Sequence, residues 1–288
     1  MPHDAPEIAR DPALTRRHIV GAASARSHLL TVLGEFVLPH VEPVWTAALV
    51  QTLGGLGIEE KASRQAMARA AAEGWIAAAR EGRRARWELT EPGRRLLAEG
   101  AERIYSFAAE GPPWDGCWLV LTVTVPEAQR QLRHRLRTRL SWAGFGTPAP
   151  GMWVSTNTAR EAEAEQIVRD LGLDDAAFSF TGPFGGIGAP RNLVDQAWNL
   201  GAVADHYRVF LTEFDGLKPA SDDEAMLTQI RLVHEWRRFP FLDPQLPAEL
   251  LPPNWIGKRA AALFRQRHGA WHDRAQRRWR DILSAATA

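Results

Sequence analysis

At 288 residues the chain exceeds what one compact domain usually holds, and it predicts two or three units, each with its own core. Apolar residues at 45% and charged residues at 24% exclude wholesale disorder, while a net charge of +1 leaves nucleic acid neither demanded nor excluded until the placement of charge is known. The single cysteine, Cys117, excludes a disulfide framework and a thiolate zinc cluster, and no stretch reaches the roughly 20 apolar residues of a membrane span, so a cytoplasmic protein without a membrane partner is expected.

Residues 1–25 carry Pro2, Pro6 and Pro12 with Arg16 and Arg17 but no apolar signal core, and they read as a flexible tail. Over 27–38, Leu29, Leu30, Leu33, Phe36 and Val37 recur at helical spacing, and Pro39 closes a first helix. Over 44–53 the pattern returns with Trp45, Leu49, Val50 and Leu53, and Gly54, Gly55 and Gly57 end a second helix. The alanine-rich segment 59–73 predicts a third, with Glu59 and Glu60 at the positive end of its dipole and Gly74 as its stop. Two short strands over 75–79 and 85–89, joined through 80–84 with Gly82 in the turn, predict a hairpin. Thr90 caps a fourth helix, with Pro92 in its first turn, that runs past Leu96 and Leu97 toward Phe107.

Beyond a linker at Gly111, Pro112 and Pro113, residues 118–125 predict a strand that Pro126 ends. A helix over 127–140 follows, with Leu132, Leu136 and Leu140 on one face. Then come a loop over 141–151, a strand over 152–155, a helix over 161–171 and a strand over 177–180. Two successive strand–helix units predict a ferredoxin-like domain, with the number of strands left open. A glycine-rich break over 182–190 precedes helices over 192–214 and 223–239, a proline-punctuated connection over 240–253, and a final helix or helix pair over 258–283. The expected fold class is α+β: a winged helix-turn-helix over 26–110, a ferredoxin-like dimerisation domain over 111–185 and a helical C-terminal domain over 190–288.

From 61 to 86 seven basic residues, Lys61, Arg64, Arg69, Arg80, Arg83, Arg84 and Arg86, face only Glu73 and Glu81. In a winged helix the third helix enters the major groove and the hairpin meets the neighbouring backbone, so charge and topology coincide. Arg64 and Gln65 are the base-reading candidates, since guanidinium suits guanine edges and an amide suits adenine. Lys61, Ser63, Arg69, Arg83, Arg84 and Arg86 are candidates for phosphate contact. The partner implied is double-stranded operator DNA.

Other constellations imply less. His268 and His272, one turn apart beside Asp273, lack a third ligand, so no metal site is assigned. The run 182–188 (GPFGGIG) lacks the Walker lysine and the dinucleotide spacing, so no cofactor is assigned. No motif places a nucleophilic serine, and no catalytic residue is named.

The segments 30–38 (LTVLGEFVL), 66–75 (AMARAAAEGW), 87–97 (WELTEPGRRLL), 118–126 (WLVLTVTVP) and 233–253 (VHEWRRFPFLDPQLPAELLPP) resemble the PaaX family of bacterial repressors, named for the phenylacetate catabolic operon. The resemblance spans nearly the whole chain. It implies a winged helix, a central domain similar to that of the CRISPR spacer-acquisition nucleases, a helical C-terminal domain, a homodimer, and repression relieved by a small effector, an aryl-acyl-CoA such as phenylacetyl-CoA. Such a thioester needs aromatic surface for its acyl end and arginines for its phosphates, which makes Trp114, Trp153, Arg191, Trp198, Trp236, Arg237 and Arg238 effector candidates. Two alternatives stay open: a nucleic-acid-processing enzyme acting through the central domain, and a winged-helix module that binds only proteins. Against the first, 122–125 (TVTV) carries no carboxylate where the nucleases place a metal-binding aspartate.

Overall fold

The computed structural model describes residues 24–40, 42–82, 84–109 and 113–287. All of the tail expected over 1–25 lies outside these residues except its last two. In chain order the elements are α1 (Ala25–Val32), β1 (Val44–Trp45), α2 (Thr46–Gly55), α3 (Glu60–Ala72), β2 (Ile76–Glu81), β3 (Arg84–Leu89) and α4 (Glu91–Ser106). They continue with β4 (Cys117–Val123), α5 (Arg130–Trp142), β5 (Gly146–Ala149), β6 (Met152–Ser155), α6 (Glu161–Asp170) and β7 (Ala177–Pro183). Last come α7 (Pro190–Ala197), α8 (Leu200–Phe214), α9 (Asp222–Trp236), α10 (Phe239–Leu242) and α11 (Ile256–Thr287). The described residues form two compact units, one within Met1–Phe107, Phe210–Arg238 and Ala260–Ala288, the other within Ala108–Val209 and Phe239–Arg259. The mainly helical stretch expected over 190–288 is helical, and its residues are shared between both units.

In the first unit, Ser24 and Ser27 cap α1 reciprocally, each hydroxyl accepting the other's backbone N–H, which satisfies two orphan donors. Past Val32 the helix widens into one π turn, Leu33–Val37, closed by Leu38 N donating to Leu33 O at 2.8 Å. Val44 and Trp45 do not begin the second helix as periodicity suggested. They pair with β3, Val44 opposite Trp87 and Trp45 opposite Arg86, because a β-branched and an aromatic residue following Pro43 suit a sheet edge better than a first helical turn. Thr46 then ties α2 to that sheet, donating to Ala85 O at 3.0 Å and accepting from Trp87 Nε1 at 2.9 Å.

The hairpin strands reach further than the alternation of residue types indicated. Glu81 and Arg84 are ladder partners, so two residues turn the chain, and Gly82 supplies a φ of +62°. The three-stranded sheet runs β1-β3-β2. Thr90 caps α4 by accepting from Gly93 N at 3.1 Å. A Cβ on Gly93 would lie 1.9 Å from the carbonyl oxygen of Trp75, so only glycine lets α4 start against that backbone. The core gathers Leu29, Leu33 and Phe36 with Leu49, Leu53, Met67 and Ile76, and with Met226, Ile230 and Trp279 from the later helices. Ser221 caps α9, and α11 is a single helix of 32 residues.

In the second unit a β-α-β-β-α-β order builds an antiparallel sheet, β5-β6-β4-β7, with β4 inside and β7 at one edge. The loop expected over 141–151 contains β5, a strand that sequence pattern hides because it is four residues long, holds Pro148 and is irregular in register. One sheet face, with Leu119, Leu121 and Val123, packs on Leu136 and Leu140 of α5 and on Ile167 and Val168 of α6. Trp118 and Val154 instead pack with Val194, Leu200, Leu246 and Leu250. The helix expected over 192–214 is broken at Trp198 and Asn199, where the Asn199 side chain accepts from Ala202 N at 3.0 Å and restarts it as α8. Asp243 is buried there and bound by Tyr207 Oη and Gln245 N, each at 2.7 Å.

Candidate nucleic-acid interface

The elements that carry the basic cluster all belong to the first unit. Met67, Ala66 and Ala70 bury one side of α3, and this leaves Lys61, Arg64, Gln65, Ala68 and Arg69 exposed at helical spacing on the other. Of the residues named from sequence on this helix, Ser63 is the exception. It is 0% exposed, and its hydroxyl donates back to Glu59 O at 3.1 Å within the first turn of the helix, so it is not on the exposed face. Arg64 is not idle in the unbound protein, since its Nε donates to Glu60 Oε1 at 2.8 Å one turn earlier.

On the hairpin Arg80 and Arg84 are exposed, and Arg86 is half-buried. Arg83 lies outside the described residues. The guanidinium carbons of Arg84 and Arg86 lie 4.3 and 4.1 Å from the centroid of the Trp45 ring, so one buried indole from β1 positions two hairpin arginines by cation–π attraction. The role of Trp45 was not foreseen from sequence, which placed it in a helix. Arg26 was missed as well: it pairs with Glu73 and covers Trp75 at 4.7 Å, at the corner where α3 gives way to β2.

Behind these elements Glu35, in the π turn, is a buried carboxylate. It accepts from Gln229 Nε2 at 2.9 Å, from His268 Nε2 at 3.0 Å and from Tyr105 Oη. Burial pushes its pKa up, but the bond and charge of His268 and the bonds of Tyr105 and Gln229 outweigh that and hold it below the usual carboxylate range. His268 is thus committed to a carboxylate.

The seven effector candidates are not gathered into one pocket. Trp114, Trp153, Arg191 and Trp198 belong to the second unit and Trp236, Arg237 and Arg238 to the first. Trp153 and Trp236 are core residues, the latter stacked on Phe264 at 4.7 Å. Trp114 and Trp198 spend their indole N–H groups on Cys117 O at 3.0 Å and Gly144 O at 3.3 Å. Arg191 donates to Leu251 O at 2.7 Å and Arg238 to Glu235 Oε2 at 2.9 Å. Arg237 alone of the seven lines a cavity in the first unit.

Three family models match in succession: "PaaX-like protein" over 24–93, "PaaX protein central Cas2-like domain" over 111–194 and "PaaX-like protein C-terminal domain" over 198–281. The transcriptional repressor PaaX of Escherichia coli (strain K12) is 31% identical over 260 residues, which cover 86% of this chain and 81% of that protein. Among solved structures, an uncharacterized protein from Mycobacterium tuberculosis shares the fold with a TM-score of 0.62 at 22% identity, over 92% of this chain and 99% of that one. No helix among the described residues is long and apolar enough to cross a membrane.

Proposed function

Since the chain belongs to the PaaX family, we propose that it is a DNA-binding transcriptional repressor that reads an operator through a winged helix-turn-helix formed by α1, β1, α2, α3 and the β2–β3 hairpin. The observation that carries this reading is the exposed face of α3. Lys61, Arg64, Gln65 and Arg69 share it, with Glu60, the ion-pair partner of Arg64, at its N-terminal end and with a basic hairpin next in the chain. In the proposed assignment Arg64 and Gln65 read base edges, Lys61 and Arg69 hold phosphates, and Arg80, Arg83, Arg84 and Arg86 grip the adjoining backbone.

The β-α-β-β-α-β unit is the ferredoxin-like domain, and we assign it dimerisation in a homodimer that binds paired half-sites. What supports this is edge strand β7, where Phe178 and Phe180, on one face two residues apart, are 64% and 63% exposed. Operator binding is relieved by a small ligand, with an aryl-acyl-CoA the class that the resemblance names. The deciding experiment is a gel shift with the gene's own upstream region over a range of salt. Specific retardation whose affinity falls steeply with salt is expected. Retardation no stronger than on unrelated DNA would remove the reading.

A further inference from the structure

α5, residues 130–142 (RQLRHRLRTRLSW), belongs to the second unit and holds five arginines and a histidine but no carboxylate. Leu136, Arg139 and Leu140 are buried, and Arg139 pairs with Asp170 of α6 at 2.5 Å. The opposite side of the helix is exposed and carries Arg130, Gln131, Arg133, His134, Arg135 and Arg137. At 3.6 residues per turn, Arg130, Arg133 and Arg137 fall within a stripe about 60° wide and about 10 Å long.

This placement costs stability. Cations at the start of a helix oppose the positive end of its dipole, and like charges three and four positions apart repel. Elsewhere Arg95, Arg169 and Arg208 each meet a carboxylate three or four residues away. On α5 the side chains of Arg130, Arg135 and Arg137 have neither an ion-pair nor a hydrogen-bond partner among the described residues, and Arg133 donates only to Pro126 O at 3.2 Å. Three carboxylates of the neighbouring α6 are committed elsewhere, Glu165 to Arg169, Asp170 to Arg139 and Gln166, and Glu161 to Ser179. Gln129 gives α5 no side-chain cap, so the N–H groups of its first turn are left for another acceptor. Placements that cost stability locally are expected at functional surfaces.

We propose that the stripe of Arg130, Arg133 and Arg137 binds the phosphate backbone of duplex DNA without reading its sequence, as a contact separate from the winged helix. Guanidinium groups repeated about once per helical turn, roughly 5 Å apart along the axis, suit a row of phosphates better than a single one. The exposed positions of α5 include no apolar residue, whereas a protein interface needs apolar or aromatic anchors at its centre. They hold no Phe, Tyr or Trp on which the bases of a single strand would stack. The apolar side of the helix, Leu132, Leu136 and Leu140, packs on the sheet, which leaves nothing to enter a lipid surface. The unpaired stripe stands on the second unit alone, whereas the choice of DNA as its polyanion rests on the function proposed above.

The test uses the full chain with Arg130→Gln, Arg133→Gln and Arg137→Gln together, or with the same three positions changed to Lys. Each set is also placed in a background carrying Lys61→Ala, Arg64→Ala and Arg69→Ala on α3. Anisotropy of a labelled duplex of unrelated sequence reads binding over a range of salt. Salt-dependent binding is expected to persist in the α3 background, and the Gln changes should weaken it about tenfold or more and lower the slope of log affinity against log salt by about two to three. The Lys changes should keep that slope, because charge is what meets the phosphates. All three side chains are exposed and mutually repelling, so the Gln variant should melt no lower than wild type, and lost binding would not report unfolding. The proposal is overturned if the Gln variant binds unrelated DNA with wild-type affinity and slope, or if the α3 background alone abolishes all binding. It is equally overturned if the Gln changes split a dimer in sedimentation, since the stripe would then meet a second copy. A slope lowered by the Gln changes, in a protein that binds its upstream region no better than unrelated DNA, upholds the stripe and removes only the operator reading. Wild type that binds no duplex removes both.

Discussion

His268 Nε2 meets Glu35 Oε2 at 3.0 Å across 233 positions of sequence, which joins the final helix to the π turn of the first inside one unit. Removing one partner of such a pair strands the others. Glu35→Ala is expected to lower unfolding free energy by about 3 kcal/mol in urea denaturation, because three donors lose their acceptor. Since folding lowers the Glu35 pKa, its contribution is full above the unfolded value and is lost as pH falls through the folded one. Glu35→Gln should flatten the acid limb of the stability curve below about pH 4.5. An unchanged acid limb would show that the carboxylate is not ionised in the fold.

His234 gives a proton balance of the same sign in a higher pH window. Burial first, then the charges of Arg237, His28 and Arg238, hold its imidazole near 2. The unfolded chain takes up that proton near the ordinary value and the folded chain does not, so stability is full above about pH 6.5 and falls by about 1.4 kcal/mol per pH unit below it. His234→Phe, which keeps a ring against His28, should remove that slope between about pH 5 and 6 in denaturant titrations. An equal slope in both proteins would place the proton elsewhere.

On DNA, Lys61→Ala and Arg69→Ala should each lower the slope of log affinity against log salt by about one, with little change in sequence preference. Gln65→Ala should relax preference at one base pair, read by competition among operator variants. Glu60→Gln frees Arg64 and removes a negative charge beside the duplex, and a roughly threefold gain in affinity is expected. A loss on Glu60→Gln would mean that the ion pair orients Arg64 for binding.

Trp45→Leu should leave α3 in place and weaken the hairpin's grip, because Arg84 and Arg86 lose the ring that holds them. The expected signature is a loss of about 1 kcal/mol or more in operator affinity with sequence preference retained. Altered base preference instead would place Trp45 in the positioning of α3.

If β7 forms the dimer edge, Phe178→Asp with Phe180→Asp should shift sedimentation from dimer to monomer without unfolding the second unit, since both rings are already solvent-exposed. Circular dichroism checks the fold. Dimers that persist would move the interface off this strand.

Sequence made the helical skeleton legible wherever period and cap agreed. Leu29, Leu33 and Phe36 repeat on the buried side of the first helix, Thr90 caps α4, and Ala66 and Ala70 of α3 lie inward while its cationic side chains lie outward. It failed where tertiary pairing overrode local preference. Trp45 carries helical spacing yet joins β3, and β5 has too few residues and too much proline to be seen alone. Ser63 shows a related limit, because a hydroxyl on a basic helix reads as a phosphate ligand until its burial is known. Arg237 was visible only as one of three arginine candidates for an effector. What distinguishes it, near-complete burial with two nitrogens that have no hydrogen-bond partner, belongs to packing and not to composition.

The wide turn at Leu33–Val37 holds one residue more than an α-helical path through the same span requires. Deleting a single residue there would restore the ordinary ladder and leave the helix before it facing the core as it does now, Leu29 and Leu30 included. A one-residue deletion in the regular turns of α1 would instead rotate everything before the cut by about 100°. The wide turn is therefore where this helix can lose a residue without re-aiming its N-terminal part.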